Sequence, residues 1–464
     1  MGSTRRVIIL GGGLAGLAAA VRLAEAGHEV QLIERRSVLG GRASSFVPPG
    51  ESEPIDNCQH VLLGCCTNLL DFLRRVGTAS QFRFYSRFLF LGPSGVSPVS
   101  AAALPAPLHL LPSLVQFRDL DWADRWAIAR AMWAILRTHP SAPEEPLLPW
   151  LRRRGQTPRA IKYFWRGILT SALNEDLERL TTRHAFQVFR ESFLINRRGY
   201  RMGVPTVPLS GLYSSQIISR HSRLRLATAA TSLELADGRV SAVILQDGTR
   251  TTADFYISAL PPESLIRLFP EKPGNSWPEM EEWKQFQWSP ITGIHLWFDR
   301  PVMNLDHVTV LHHTIQWVFN RSAIGGQPGN PNGSQYLQLV VSASRDLLPM
   351  RREQILELCL SELAEMFPES RSATLLKSVV VKESRATLSL SPGSEAMRPG
   401  PQTPFPNLFL AGDWTATGWP PTMEGAVRSG YRAAELVADA AGNPQAFLQP
   451  DLPADPLARL LARF

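Results

Sequence analysis

"RRVIILGGGLAGLAAAVRLAEAGHEVQLIER", Arg5 to Arg35, decides the fold. An apolar run (Val7 to Leu10) meets a cluster of glycines, a helix-periodic stretch follows from about Leu14 to Ala26, and a second apolar run spans Val30 to Ile33. This order predicts a buried strand, a glycine turn, a helix and a second strand. Gly11, Gly13 and Gly16 stand at G-x-G-x-x-G spacing. In that arrangement the first glycine allows a tight turn, the second lets backbone approach a pyrophosphate, and the third permits close packing of helix on strand. The helix N-terminus, at Leu14 and Ala15, offers free N–H groups and a positive dipole end to phosphates. Glu34, followed by Arg35, closes the second strand, where an acid takes the hydroxyls of an adenosine ribose. A 2′-phosphate there would prefer Arg or a neutral residue, which disfavours NADP and leaves FAD and NAD.

"SVLGGRASSF", Ser37 to Phe46, adds Gly40 and Gly41 as a second close approach to a diphosphate and Arg42 as a charged hydrogen-bond donor. This region resembles flavoproteins of the amine-oxidase and carotenoid-desaturase type, and that resemblance selects FAD. Near the other end of the chain, "PNLFLAGDW" (Pro406 to Trp414) reads as a strand ending at Gly412 and Asp413, placed to bind the ribityl or diphosphate region. "MEGAVRSGYRAAELVADAAG" (Met423 to Gly442) reads as a helix whose small residues Gly425, Ala426, Ser429, Gly430 and Ala433 share a close-packing face. Its N-terminus, at Thr422 and Met423, would face a flavin's pyrimidine edge and stabilise the negative charge gathered there on reduction.

At 464 residues and 44% apolar composition, the chain is predicted to fold as two or three domains. The net charge of +7 rests mainly on arginines that are scattered rather than gathered in a tract, so no nucleic-acid partner is expected, although a basic surface suits an anionic membrane face. Cys58, Cys65, Cys66 and Cys359 lack metal-ligand spacing, so no metal is expected and a reduced, cytoplasmic setting is. The first residues imitate a signal peptide, but their glycines fit the strand-turn-helix unit instead, and Arg6 stands where a myristoylation signal needs Ser or Thr. No run of about 18 uncharged apolar residues spans a bilayer. Any membrane contact is therefore expected to be peripheral, on the inner face of the cytoplasmic membrane.

From Arg74 to Met202 the pattern predicts helices rich in aromatics and arginine, broken by prolines. Trp122, Trp126, Ala129, Trp133 and Leu136 share one helix face, a stripe that suits core, an apolar tunnel wall or a membrane interface. After Pro208 a small sheet is predicted, with "ADG" and "QDG" as hairpin turns. Strands such as "GIHLWF" and "QYLQLVVSAS" and a helix at Glu353 to Met366 follow. The expected fold is α/β: a discontinuous Rossmann-type FAD-binding domain (1–75, 205–284 and 385–445), an α+β substrate domain (76–204 and 285–384) and a tail (446–464). Oligomeric state stays open.

The succession "GGGLAG … ER … LGGRA … IDNCQHVLLGC … AGDW … TGWPPTMEGAVRSG", with "VPLSGLY" (Val207 to Tyr213) and "LWFDRP" (Leu296 to Pro301), resembles the hydroxysqualene dehydroxylases, squalene-associated FAD enzymes of that superfamily. One departure is Cys58, where relatives commonly have glycine. The resemblance implies backbone contact of Ala230 with the adenine, and reductive loss of a hydroxyl with hydride from reduced FAD. The carbocation formed must be shielded from water, and Trp165, Trp297, Trp414 and Trp419 are candidate walls. Asp56 and His60 are the candidate acids, or else hold their loop; Glu424 is a third, or else serves the helix dipole. A single dinucleotide motif implies that FAD is reduced by an external donor or reductase, and a hydrophobic isoprenoid substrate implies entry from a membrane. The alternatives are a desaturase or oxidase of a polyene such as phytoene and, in another class, a non-catalytic prenyl-binding escort. An amine oxidase is disfavoured, because the substrate half shows little sign of the lysine often found beside the flavin in that group.

Overall fold

Strand β1 (Arg6–Leu10), helix α1 (Leu14–Glu25) and strand β2 (Glu29–Ile33) form the predicted unit. The computed structural model describes residues 4–50, 52–269, 277–325 and 333–463. The chain then passes through helices α2 (Thr67–Arg75), α3 (Trp122–Arg137) and α4 (Thr182–Val188). It returns through strands β3 (Arg223–Arg225), β4 (Phe255–Ser258) and β5 (Leu408–Leu410), and β5 leads to helix α5 (Met423–Ala440). These strands make one parallel sheet in the order β3-β2-β1-β4-β5. Val7, Ile8, Ile9 and Leu10 are all buried because both faces of the sheet are covered.

On one face α1 packs against α5, and small residues set the distance. A Cβ on Gly430 would lie 2.2 Å from the carbonyl oxygen of Ala15. The other face carries the predicted small sheet (Ala230–Ala236, Arg239–Leu245 and Arg250–Thr251) and a cluster including Trp277, Trp283 and Trp414. Its first hairpin turns through Asp237 (φ 51°) and Gly238 (φ 70°), the two left-handed residues that a tight hairpin needs.

A seven-stranded sheet forms the second body: Leu375–Leu388, Trp288–Phe298, Gln335–Ser342, Trp317–Asn320, His307–Val310, Arg87–Gly92 and Gly95–Ser100, in that spatial order. Helix Arg352–Met366 covers one face through Ile355, Cys359 and Leu363. The last two strands, and Phe82–Tyr85 in another small sheet, correct the expectation of helices throughout Arg74 to Met202. Phe88 and Phe90 alternate onto one side of their strand, and Pro98 is tolerated because its strand lies at the sheet edge.

Candidate active site

A cavity of about 1360 Å³ runs between the parallel sheet and the second body. Pockets that hold one drug-sized ligand measure about 300–1,000 Å³, so there is room for a cofactor and a second molecule. At one end the wall is Gly11, Gly13, Leu14, Ala15, Glu34, Arg35, Gly41, Arg42 and Ala230. Gly11 (φ 104°) turns against Ala259, whose carbonyl oxygen would be 2.8 Å from an added Cβ. Gly16 does not line the cavity; its missing Cβ, 2.0 Å from the Gly11 oxygen, lets α1 start against the turn. No side chain caps α1, so its first N–H groups remain for a ligand. Gly13 and Gly41 face each other as bare backbone, with a Gly41 Cβ at 3.1 Å from the Gly13 Cα. The buried Glu34 carboxylate is aimed by the N–H groups of Gly12 (2.7 Å) and Arg36 (2.8 Å). Bare backbone for a diphosphate, an uncapped helix end and a fixed acid for a ribose fit a dinucleotide such as FAD.

The C-terminal motif reaches the same wall through Gly412, Asp413, Thr422 and Met423. Asp413 forms an ion pair with Arg42. The Gly412 N–H donates to Ser429 Oγ at 2.8 Å, which ties β5 to α5, and Thr422 caps α5 by accepting from the Gly425 N–H. Behind the loop, the buried Arg398 donates to the carbonyls of Asp413 (2.9 Å), Thr415 (2.6 Å) and Trp419 (3.0 Å). Glu395 holds Arg398 at 2.7 Å and His184 at 3.1 Å. Burial pushes the Glu395 carboxyl up, but His184 and Arg398 outweigh it and bring the pKa down to about 2.

Of the three expected acids, Glu424 and His60 line the cavity and Asp56 does not. Glu424 accepts from the N–H groups of Asn68 (3.1 Å) and Leu69 (2.8 Å), and Arg428 holds it at 2.8 Å; it caps α2. Asp56 is buried behind the cavity wall, accepting from Ser45 Oγ (2.7 Å) and the Leu209 N–H (2.8 Å). Burial raises its pKa, while Arg321 and these hydrogen bonds act against the rise. His60 does line the cavity, with Nδ1 2.9 Å from the Cys58 oxygen, and burial lowers its pKa, favouring a neutral ring. Cys58 lines the cavity too, its thiol pushed up to about 12 by burial. Three cavity carboxyls had no signal in the sequence, Glu191, Glu263 and Glu383.

Of the four tryptophans, Trp414 and Trp419 line the cavity and the other two do not. Trp165 is fully buried, donating to Gln156 Oε1 at 2.7 Å, while its neighbour Phe164 takes the wall position. Trp297 stacks on Tyr336 at 4.4 Å with Lys377 over its ring, on the sheet face opposite Ile294, Leu296 and Phe298, which pack beneath helix Arg352–Met366.

Away from the nucleotide end the cavity is walled by Phe88, Phe90, Phe117, Ile128, Met132, Phe164, Phe189 and Phe193. Leu108, Leu111 and Trp133 line it and are also exposed (41%, 43% and 51%), which marks an apolar mouth. Trp122 and Trp126, on the same helix α3, are 69% and 67% exposed. The tryptophan stripe is thus surface and mouth rather than core. No helix among the described residues is long and apolar enough to cross a membrane.

Residues 14–438 match the family model of flavin containing amine oxidoreductases. The chain belongs to this family. FAD is accordingly its cofactor, and the protein is a flavin-dependent oxidoreductase. Curated relatives include the 15-cis-phytoene desaturase of Solanum lycopersicum, 27% identical over 456 residues and covering 93% of this chain and 77% of that one. The probable zeta-carotene desaturase of Synechococcus elongatus is 26% identical over 477 residues, covering 94% and 99%. Among solved structures, an oxidoreductase from Methanosarcina mazei superposes with a TM-score of 0.72 at 20% identity, covering 92% of this chain and 98% of that one. Putrescine oxidase bound to putrescine gives 0.68 at 15% identity, covering 94% and 99%. These likenesses establish the amine-oxidoreductase fold around the cavity.

Proposed function

We propose that this flavin-dependent oxidoreductase acts on a long acyclic isoprenoid held in the apolar half of the cavity. The observation that carries the reading is continuity: one cavity joins the dinucleotide cradle to an aromatic and aliphatic tunnel ending at Leu108, Leu111 and Trp133. Gly11, Gly13, Glu34 and Arg42 would hold the adenosine and diphosphate, with Ala230 beside the adenine and Asp413 and Met423 toward the flavin end. FAD, when bound, supplies the hydride-transfer chemistry. The protein's own part is to aim the substrate and keep water from it.

Two directions of reaction fit such a site. The names of the curated relatives favour hydrogen removal from a polyene such as phytoene, and they support this direction better than the other. Reductive loss of the hydroxyl of hydroxysqualene is the second reading, favoured by the resemblance carried by Thr417 to Gly430. In that direction an external electron donor or reductase must supply FAD.

The mouth extends the proposal to location. Exposed tryptophans with Arg125 over Trp122 (5.0 Å) and Arg137 over Trp133 (5.9 Å) suit the headgroup layer of an anionic bilayer, from which an apolar substrate would enter directly. Anaerobic incubation of reduced enzyme with hydroxysqualene, and of oxidised enzyme with phytoene, followed by mass spectrometry, tests substrate and direction together. Squalene in the first or a desaturated carotene in the second supports the reading; neither product from flavin-loaded protein overturns it.

A further inference from the structure

Six carboxyl side chains line the cavity, and five of them are engaged. Glu34 is fixed by two backbone N–H groups, Asp413 pairs with Arg42, and Glu424 caps α2. Glu263 pairs with Arg385, and Glu383 faces Arg36, Arg42 and Asn57. The sixth, Glu191, has a buried Oε2 with no hydrogen-bond partner among the described residues. An ionised carboxylate left so is costly, and the inexpensive state is the neutral acid.

Its place in the chain is equally particular. Helix α4 does not end at Val188 but widens into a π-turn over Phe189–Leu194. Such turns shift the register of side chains and recur at functional sites. Here the shift puts Glu191, Ser192 and Phe193 successively on the cavity wall. One turn before, Gln187 donates to the Gly418 oxygen at 2.7 Å, which fastens this helix to the loop carrying Trp419. Glu191 therefore stands where the apolar tunnel meets the C-terminal flavin motif.

We propose that Glu191 is the group that exchanges a proton with the substrate. The inference rests on the isoprenoid reading given above. In dehydroxylation the substrate C–O bond breaks as the Glu191 proton passes to the departing oxygen, and water leaves. The carbon gains hydride from reduced FAD, which is oxidised by two electrons, and solvent reprotonates the glutamate. In desaturation the flow reverses: hydride leaves one carbon for oxidised FAD and the neighbouring carbon gives its proton to the Glu191 carboxylate, forming the double bond.

The surroundings poise the group for either role. Burial is the main influence and raises its pKa; Asp451, from the C-terminal segment, raises it further. Arg190 on its own helix and Arg428 on α5 pull down, and Arg428 is itself shared with Glu424 and Asp451, leaving the carboxyl at about 7. Proton transfer is most effective from a group whose pKa lies near the working pH.

Infrared difference spectroscopy of the flavin-loaded enzyme across pH 5–9 tests the assignment. A protonated-carboxyl band that titrates near pH ~7, is missing in Glu191→Gln and shifts when squalene fills the cavity is expected. Turnover of the substrate found above should fall about 100-fold or more in Glu191→Gln, with flavin content unchanged, partial recovery in Glu191→Asp and loss of the pH limb near ~7. A band that survives in Glu191→Gln or ignores squalene overturns the proposal, as does wild-type turnover and pH profile in Glu191→Gln. Because band and squalene response need no turnover, they report on Glu191 even where neither hydroxysqualene nor phytoene is converted, an outcome that would count against the substrate reading alone.

Discussion

Arg42 and Asp413, 371 positions apart in sequence, form an ion pair on the wall of one cavity. It links the glycine loop after β2 to the strand end before α5, so the two halves of the cofactor cradle are fixed relative to each other. Arg42 also donates to the Ala386 carbonyl at 3.3 Å and lies over the Trp288 ring at 5.3 Å.

Loss of the guanidinium should therefore weaken FAD binding more than loss of the carboxylate. Arg42→Gln removes both the diphosphate-facing charge and the tie, and an affinity loss of about tenfold, ~1.4 kcal/mol, is expected. Asp413→Asn should cost less, and the double variant less than the sum of the two, because one interaction is broken only once. Flavin titration followed by fluorescence measures all three; strict additivity would show the pair to be incidental.

The α1–α5 contact makes a second prediction. Gly430→Ala places a methyl 2.2 Å from the Ala15 oxygen, a backbone atom that cannot yield without moving the helix. Overpacking of this kind costs about 1–3 kcal/mol. A lower melting temperature with earlier flavin release is expected, whereas Gly442→Ala, which meets nothing within 4 Å, isolates the strain of a left-handed glycine (φ 78°) from packing.

Legibility in the sequence followed how locally each feature is determined. Gly11, Gly41 and Gly412 take φ of 104°, 61° and 139°, conformations closed to most residues, so backbone demands were written directly as glycine. Glu424 shows the limit: its position at a helix start was readable, but its carboxylate turns to α2, a direction set by a segment some 350 residues away. The same holds for Glu191, whose environment is made by Arg428 and Asp451. Trp122, Trp126 and Trp133 share a helical stripe whether or not anything covers α3, so periodicity identified the face and not its neighbour. Trp297 was misplaced for a simpler reason: it shares the sheet face of the cavity-lining Val340 and Trp317 but lies further along its strand, stacked on Tyr336, a position that strand alternation alone does not give.

The exposed face of α3 gives a third prediction. Replacing Trp122, Trp126 and Trp133 together by serine should abolish most binding to vesicles containing anionic lipid, measured by co-sedimentation, while the flavin spectrum stays unchanged. Arg125→Gln with Arg137→Gln should weaken binding at low salt and have little effect at high salt, because charge attraction is screened. Vesicle binding equal to wild type in the tryptophan variant would remove α3 from the membrane reading.

Acid stability follows from the Glu395 cluster. In the folded protein its pKa is about 2 against an ordinary 4.5, since His184 and Arg398 overcome the effect of burial. A depressed carboxyl contributes stability that is fully present above its unfolded value and lost as pH falls through the folded one, here between about 4.5 and 2. The contribution is on the order of 3 kcal/mol. Arg398 is fully buried and carries the carbonyls of Asp413, Thr415 and Trp419, so the energy is invested in the loop that closes the flavin site. Glu395→Gln should lower the denaturant midpoint at neutral pH, because it leaves a buried guanidinium without its counter-charge. It should also flatten the acid limb, so that wild type and variant converge as pH approaches ~2. Flavin release should track the same limb in wild type. Parallel stability curves for the two proteins across that range would place the acid transition elsewhere.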